Sequence, residues 1–161
     1  MIPVTIRPAR REDVAPVAEI EQRAFSDPWT EGSFRALLGE PAVWFAVATA
    51  DGADAAGRSL SGVIGYVVAY FAAEEAEVAN LAVVPEARGQ GIGARLLDAA
   101  LEEGQSRGAE EFFLEVRESN VAARRLYAGR EFEEVGRRPG YYRRPIEDAL
   151  ILRRIVRPRL K

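Results

Sequence analysis

The stretch NLAVVPEARGQGIGARLL, residues 80–97, decides how this chain folds. It begins as an apolar strand, passes through a turn that contains Gly89, Gly91 and Gly93, and continues as a helix. Glycine adopts positive φ readily, so successive amides of the turn can point into one concavity at the positive end of the helix dipole. Arg88 and Arg95 flank this concavity and could add charge-assisted hydrogen bonds. The pattern therefore predicts a phosphate-binding site.

Two common phosphate ligands fit the turn poorly. The glycine spacing differs from the dinucleotide-binding fingerprint, and the Lys-Ser/Thr pair of a nucleoside triphosphate loop is missing. A turn that needs glycine only for tight packing remains the ordinary alternative. The pattern Arg88-x-x-Gly91-x-Gly93 after an apolar strand resembles the acetyl-coenzyme A pyrophosphate loop of the GCN5-related N-acetyltransferases (GNAT).

Length and composition predict one domain over residues 1–161, with residues 158–161 as a flexible tail. The chain is 48% hydrophobic and 29% charged. Residues 1–12 contain no apolar signal segment, and the longest apolar run, residues 63–73, is too short to span a bilayer. We therefore predict a cytoplasmic protein that does not bind a membrane.

The chain contains no histidine and no cysteine. This excludes disulfides, thiol nucleophiles, Ser-His-Asp triads and the usual zinc sites, so we predict no metal. Acid–base chemistry must depend on Asp, Glu, Tyr, an amine or the substrate. A net charge of −3 argues against dedicated nucleic-acid binding. Two pairs of arginines flank two tyrosines over residues 137–144. This leaves RNA contact as an alternative to solvated arginines, which is the interpretation we favour.

Hydrophobic periodicity predicts the element order β-α-α-β-β-β-α-β-α-β-β. Thr30 is predicted to cap the second helix, whereas Asp13 and Glu21 are predicted on the solvent side of the first. The order implies an α/β (α+β mixed) fold, a mixed sheet with helices on both sides. The predicted strands are residues 2–7, 43–49, 62–71, 77–84, 111–116, 132–142 and 149–156, and the predicted helices are residues 12–25, 30–38, 93–108 and 121–128.

Two side chains stand out as candidates for chemistry. Glu115 lies within the apolar strand FFLEV, residues 112–116, where a carboxylate is costly unless it has a partner or a task. Tyr127 falls on the helix that follows Ser119 and Asn120. The ordinary alternatives are that Glu115 faces solvent or pairs with an arginine, that Tyr127 is a core residue, and that Asn120 caps the helix.

Further segments narrow the resemblance to the bacterial ribosomal-protein-alanine N-acetyltransferases of the RimI type. It extends over the chain to about residue 153, and its fold would be a mostly antiparallel, twisted sheet of about seven strands flanked by about four helices. One departure is Glu131, where the family has glycine; either the preceding helix ends earlier here or Glu131 is strained. The shared segments are EQRAF (21–25), PW (28–29), LEVRESN (114–120), LY (126–127), YY (141–142) and EDA (147–149).

The resemblance implies a role for each site residue. Glu115 would be the general base and Tyr127 the general acid, and Asn120 would hold the coenzyme near the reacting thioester. The Val83 amide could stabilise the oxyanion. The strand residues Leu81, Ala82 and Val83 would bind the pantetheine arm of acetyl-CoA, and Arg88, Gly89, Gln90, Gly91, Ile92, Gly93 and Ala94 its pyrophosphate. Pro28, Trp29, Tyr141 and Tyr142 would line the acceptor cleft or, alternatively, pack in the core.

The implied reaction is direct acetyl transfer in a ternary complex. Its acceptor would be a protein N-terminus, most specifically the N-terminal alanine of a small-subunit ribosomal protein. An α-amine has a pKa of about 7.7–8.0 against about 10.4 for lysine, so a glutamate of ordinary strength suffices as its base. The alternatives are the same chemistry on a lysine or a small-molecule amine, a non-catalytic acyl-CoA sensor, and an RNA-contacting module.

Overall fold

A seven-stranded sheet, in the order β1-β2-β3-β4-β5-β7-β6, forms the middle of the protein. The computed structural model describes residues 3–53, 57 and 59–156, so the predicted tail lies outside the described residues. The strands are β1 (Val4–Pro8), β2 (Val43–Ala53), β3 (Ser59–Ala72), β4 (Glu75–Val83), β5 (Glu111–Arg117), β6 (Glu133–Tyr142) and β7 (Glu147–Ile155), and the α-helices are α1 (Val14–Ala24), α2 (Glu31–Leu37), α3 (Ile92–Ser106) and α4 (Val121–Ala128). This order confirms the predicted one.

Strands β4 and β5 form a parallel pair that opens along its length. All other neighbouring strands are antiparallel, as predicted. The parallel pairing joins only Glu75–Glu77 of β4 with Glu111–Phe113 of β5. Beyond it, β4 continues against β3 and β5 continues against β7. The two strands therefore diverge, and we call the space between Val78–Val83 and Leu114–Arg117 the β4–β5 gap.

Helices α3 and α4 lie on one face of the sheet. A Cβ atom on Gly104 of α3 would be 2.5 Å from the ring of Phe112 on β5, so only glycine permits this close packing. A Cβ atom on Gly93, in the first turn of α3, would lie 3.6 Å from the side chain of Leu126 on α4. The N-terminus of α3 and the middle of α4 therefore meet beside the β4–β5 gap.

Helices α1 and α2 cover the opposite face. The ring of Tyr66 on β3 packs edge-on against Phe34 of α2, with ring centroids 5.5 Å apart. Thr30 caps α2 as predicted, because its hydroxyl oxygen accepts a hydrogen bond from the Ser33 amide at 3.1 Å. These two helices cover β2 and β3 and leave the face of β5, β6 and β7 open.

The prediction that Asp13 and Glu21 face solvent is wrong, since they are 3% and 1% exposed. Asp13 accepts hydrogen bonds from the guanidinium of Arg7 at 2.6 and 3.0 Å. Glu21 accepts from the Tyr66 hydroxyl, from Asn80 Nδ2 at 2.8 Å and from the backbone amide of residue 29 at 2.8 Å. Burial raises the pKa of Glu21 although these three donors oppose the shift. Its carboxylate therefore joins α1, β3 and β4 inside the core.

Several element ends differ from their predicted positions. Pro8 is the last residue of β1 instead of following it. Strands β2 and β3 extend to Ala53 and from Ser59, so the hairpin connection is shorter than predicted. Helix α4 has the predicted bounds. Glu131 adopts a φ of 66°, so the expected strain is present at this position.

Candidate active site

The edge of β4 forms one wall of the site. Leu81, Ala82 and Val83 pair with β3 on one side and face the β4–β5 gap on the other. A change of register leaves Ala79 without a pairing partner on β3, and such a bulge bends its strand. An extended ligand can form backbone hydrogen bonds with an open strand edge of this kind.

The glycine loop, residues 88–94, lies at the end of that wall. Gly89 and Gly91 have φ values of 80° and 77°, and no atom lies within 4 Å of a Cβ built at either position. Gly91 precedes the first turn of α3, whose amides have no partners within the helix. Among the described residues, Gln90 Nε2 is buried without a hydrogen-bond partner. The loop therefore presents several free donors around an open space, which suits a phosphate group.

Gly93 lies inside the first turn of α3, in agreement with the predicted helix start at residue 93, and does not have a positive φ. One detail of the predicted loop is wrong. Arg95 does not face the loop, because its guanidinium donates to the Val4 carbonyl oxygen at 3.0 Å. Arg88 stays at the end of β4, where its Nε donates to the Val83 carbonyl oxygen at 3.3 Å. Of the two flanking arginines, only Arg88 therefore stays beside the loop.

Substituting Gly91 tests the loop. Gly91→Ala forces a residue with a Cβ into the left-handed region at about 1–2 kcal/mol, and the strain is relieved by turning the loop amides. We expect affinity for coenzyme A, measured by titration calorimetry, to fall about tenfold. The matched control is Gly108→Ala, since Gly108 has a φ of 89° with open space at the other end of α3. Equal affinities in the two variants would contradict the assignment of the loop.

Glu115 lies on the face of β5 away from α3. Its side chain is 21% exposed, and its carboxylate forms an ion pair with Arg138 Nε at 2.8 Å. The negative charge of Glu115 and a hydrogen bond with it raise the pKa of Tyr141. One of the ordinary alternatives for Glu115, pairing with an arginine, is therefore present. It keeps the carboxylate in place at the side of the β4–β5 gap.

An irregular segment of β6 places the partners of Glu115. Arg138 pairs with Ala149 and Tyr142 with Glu147, so residues 139–141 lie opposite only Asp148. The Asp148 carboxylate accepts hydrogen bonds from the Gly140 amide at 2.9 Å and from the Arg137 guanidinium at 2.9 Å. Pro and Gly inside a predicted strand are the sequence signal for such a bulge. Arg137 and Arg138 are thus ion-paired side chains and not a free basic surface.

Tyr127 on α4 is 8% exposed. Its ring packs edge-on against Phe132 at a centroid distance of 5.9 Å. Burial raises the pKa of Tyr127 to about 12, so the phenol keeps its proton at neutral pH. Burial, followed by the charge of Glu115, raises the pKa of Tyr142 to about 12, and Tyr127 contributes to the same shift. The ring of Tyr142 packs edge-on against that of Tyr141, with centroids 5.2 Å apart.

Asn120 caps helix α4, which was one of the two predicted roles for this residue. Its side-chain oxygen accepts a hydrogen bond from the Ala123 amide at 3.1 Å and caps α4. The cap uses only the oxygen of the side chain. Trp29 is also a packing residue, since its ring lies 5.5 Å from that of Phe34. Tyr141, in contrast, is 52% exposed on the open face.

The sequence did not single out Glu77. A cavity of about 320 Å³ on the open face is lined by Glu77, Glu115, Arg138 and Tyr70, among other residues. Burial and the charge of Glu115 raise the pKa of Glu77. It is therefore a second carboxylate beside the candidate base, although it lies where β4 and β5 still pair. The available signal was a glutamate within a predicted strand, residues 77–84.

The described residues contain neither a group of three or more side chains suited to a metal ion nor a helix long and apolar enough to cross a membrane.

Comparison with known proteins assigns the chain to a family. Residues 14–132 match the acetyltransferase (GNAT) family. The [ribosomal protein bS18]-alanine N-acetyltransferase of Escherichia coli (strain K12) is 35% identical over 92% of this chain and 95% of its own length. The N-alpha-acetyltransferase RimI of Mycobacterium tuberculosis is 36% identical over 94% of this chain and 92% of its own length.

A solved structure agrees with the sequence comparisons. The crystal structure of the ribosomal-protein-S18-alanine N-acetyltransferase from Escherichia coli superposes with a TM-score of 0.83 at 30% identity, covering 99% of this chain and 97% of that one. The chain therefore belongs to the acetyltransferase (GNAT) family, whose members take acetyl groups from acetyl-CoA.

Proposed function

We propose that the chain transfers the acetyl group of acetyl-CoA to the N-terminal α-amine of a protein, specifically the N-terminal alanine of ribosomal protein bS18. The observation that carries this proposal is the carboxylate of Glu115, held by an ion pair at the β4–β5 gap, together with the buried phenol of Tyr127 on α4, the helix that contacts the start of α3. The names of relatives that align over nine-tenths of the chain support the acceptor. Such an acceptor would be met in the cytoplasm.

The donor would lie in the β4–β5 gap. The open edge of Leu81, Ala82 and Val83 would bind the pantetheine arm, and the glycine loop would bind the pyrophosphate. The unpartnered Nε2 of Gln90 and the free amides of the first turn of α3 support this fit. Acetyl-CoA supplies the activated acyl group, and the protein supplies its orientation and the proton transfers.

Glu115 would accept the proton that the acceptor nitrogen loses, directly or through one water molecule. An α-amine has a pKa of about 7.7–8.0, so a substantial fraction is neutral near pH 7, whereas lysine, near 10.4, is almost wholly charged. The Val83 amide would stabilise negative charge on the carbonyl oxygen under attack. Tyr127 would donate its proton to the departing sulfur, whose thiol has a pKa of about 8.5. The chain, which has no cysteine or histidine, needs no covalent intermediate.

Peptide acetylation tests the proposed acceptor. The protein is incubated with acetyl-CoA and lysine-free peptides beginning with Ala, Ser or Met, beside an N-terminally blocked peptide that contains lysine. We expect acetylation of the α-amine, fastest on the alanine peptide, with the position of the acetyl group located by tandem mass spectrometry. Acetylation only of lysine would favour the lysine alternative, and binding of acetyl-CoA without transfer would favour the sensor.

A further inference from the structure

Arg117, at the end of β5, connects two segments that are far apart in the chain. Its guanidinium donates to Ser26 Oγ at 2.9 Å, in the connection between α1 and α2. It also donates to the carbonyl oxygens of Arg143 and Pro145, at 2.7 and 3.1 Å, in the β6–β7 turn, residues 143–146. Ser26 Oγ in turn donates to the Arg143 carbonyl oxygen at 3.1 Å. One side chain therefore holds the α1–α2 connection against the β6–β7 turn.

The β6–β7 turn depends on this arginine. Arg144 has a φ of 57°, in the left-handed region that L residues rarely adopt. The carbonyl oxygens on either side of Arg144 are those that accept from Arg117. Strained backbone persists where its surroundings hold it, and here the guanidinium supplies the donors. Without these donors we expect the turn to relax.

The same guanidinium also reaches the reaction centre indirectly. It lies over the ring of Tyr142, 4.5 Å from the centroid, and Tyr142 packs edge-on against Tyr141 at a centroid distance of 5.2 Å. Arg138 lies 5.6 Å from the Tyr141 centroid and forms the ion pair with Glu115. A salt bridge with Glu147 at 3.2 Å fixes the guanidinium from the other side. Hydrogen bonds from Ser119 lower the pKa of Glu147, and the hydrogen bond from Arg117 lowers it further. Glu147 therefore stays charged.

Lysine cannot reproduce this arrangement. The contacts use two nitrogen atoms of a planar fork that is also stacked on an aromatic ring, whereas an ammonium group is a single point of charge. The Arg117 side chain is 22% exposed, so the contacts are partly shielded from solvent. No hydrogen bond joins Arg117 to the glycine loop among the described residues. Loss of the guanidinium should therefore affect the acceptor side of the site and spare the donor side.

We propose that Arg117 is a positioning residue for the acceptor: it closes the α1–α2 connection onto the β6–β7 turn and orients Tyr142 beside Glu115. The inference rests on the proposed function, because it assigns these two segments to the wall of the acceptor cleft. Arg117 itself touches neither substrate.

Steady-state kinetics of Arg117→Lys test this role. We expect the KM for an alanine-initiated peptide to rise about tenfold or more, since charged hydrogen bonds are lost. The KM for acetyl-CoA should stay unchanged, and kcat should fall less than the acceptor KM rises. The matched control is Arg107→Lys, because Arg107 lies 4.5 Å from the Phe71 ring centroid and donates to the Pro41 carbonyl oxygen at 2.7 Å, at the end of α3 opposite the glycine loop. Millimolar guanidinium should partly restore the acceptor KM of Arg117→Ala and leave Arg107→Ala unaffected.

Hydrogen exchange separates this inference from the proposed function. In Arg117→Lys, amide exchange should accelerate in residues 25–30 and 143–146, with exchange in the glycine loop unchanged. Accelerated exchange with no acetylation by the wild type would overturn the proposed function while supporting the contact. An active wild type with an unchanged acceptor KM in Arg117→Lys, or equal changes in both KM values, would overturn the inference.

Discussion

Tyr127→Phe is expected to lower kcat by about 10²–10⁴-fold, the usual contribution of a general acid. Phenylalanine keeps the packing against Phe132 and removes only the hydroxyl proton. The affinity for acetyl-CoA and the melting temperature should therefore change little. Rapid-quench measurement of a single turnover gives the rate of transfer directly. A variant that retains the wild-type rate would remove Tyr127 from the reaction.

The pH dependence of the wild type checks the same assignment. Because burial raises the pKa of Tyr127 to about 12, its phenol stays protonated over the range in which the acceptor amine titrates. Activity should therefore rise with pH as the acceptor α-amine loses its proton near a pKa of about 8, and then stay level to about pH 10. A fall in kcat between pH 8 and 10 that Tyr127→Phe abolishes would show that the phenol ionises far below this expectation.

Glu115→Gln is expected to lower kcat/KM by about 10²–10⁴-fold with an alanine-initiated peptide. Glutamine has nearly the same shape and can still contact Arg138 and Tyr141, but it cannot accept a proton. The loss should be smaller when assays are run above the pKa of the acceptor amine, because less substrate then needs deprotonation. Coenzyme affinity, measured by calorimetry, should match that of the wild type.

Glu77→Gln is the comparison variant for Glu115→Gln. Glu77 lines the same cavity and its pKa is raised, so it is the rival candidate for the base. It lies on the paired part of β4 and not at the gap, and we therefore expect a much smaller loss of kcat/KM. A larger loss for Glu77→Gln than for Glu115→Gln would transfer the role of base to Glu77.

Local patterns predicted the elements and the glycine loop because both depend on residues close in sequence. Helix α4, from Val121 to Ala128, has apolar spacing and a cap at Asn120 within one short segment. The positive φ values of Gly89 and Gly91 follow from the same kind of local signal. Periodicity also predicted the correct order of strands and helices along the chain.

The partners of polar side chains could not be predicted in this way. Glu21 was placed in solvent because it is charged, yet it falls on the helical stripe of Val14, Val17 and Ala18, and its partners are on distant strands. Arg138 was taken as a solvated arginine, whereas the β6 bulge turns it onto Glu115. Such contacts depend on register and bulges, which are fixed only when the sheet has assembled.

Acetylation of purified, unmodified ribosomal protein bS18 by the wild type and by Glu115→Gln tests the central claim most directly. Intact-mass analysis followed by tandem mass spectrometry counts the acetyl groups and locates them. We predict a single acetyl group on the α-amine of the N-terminal alanine with the wild type, and at least a hundredfold slower modification with Glu115→Gln, about 10²-fold being the lower bound for a general base. Modification of lysine side chains alone, or equal rates for the two proteins, would contradict the account.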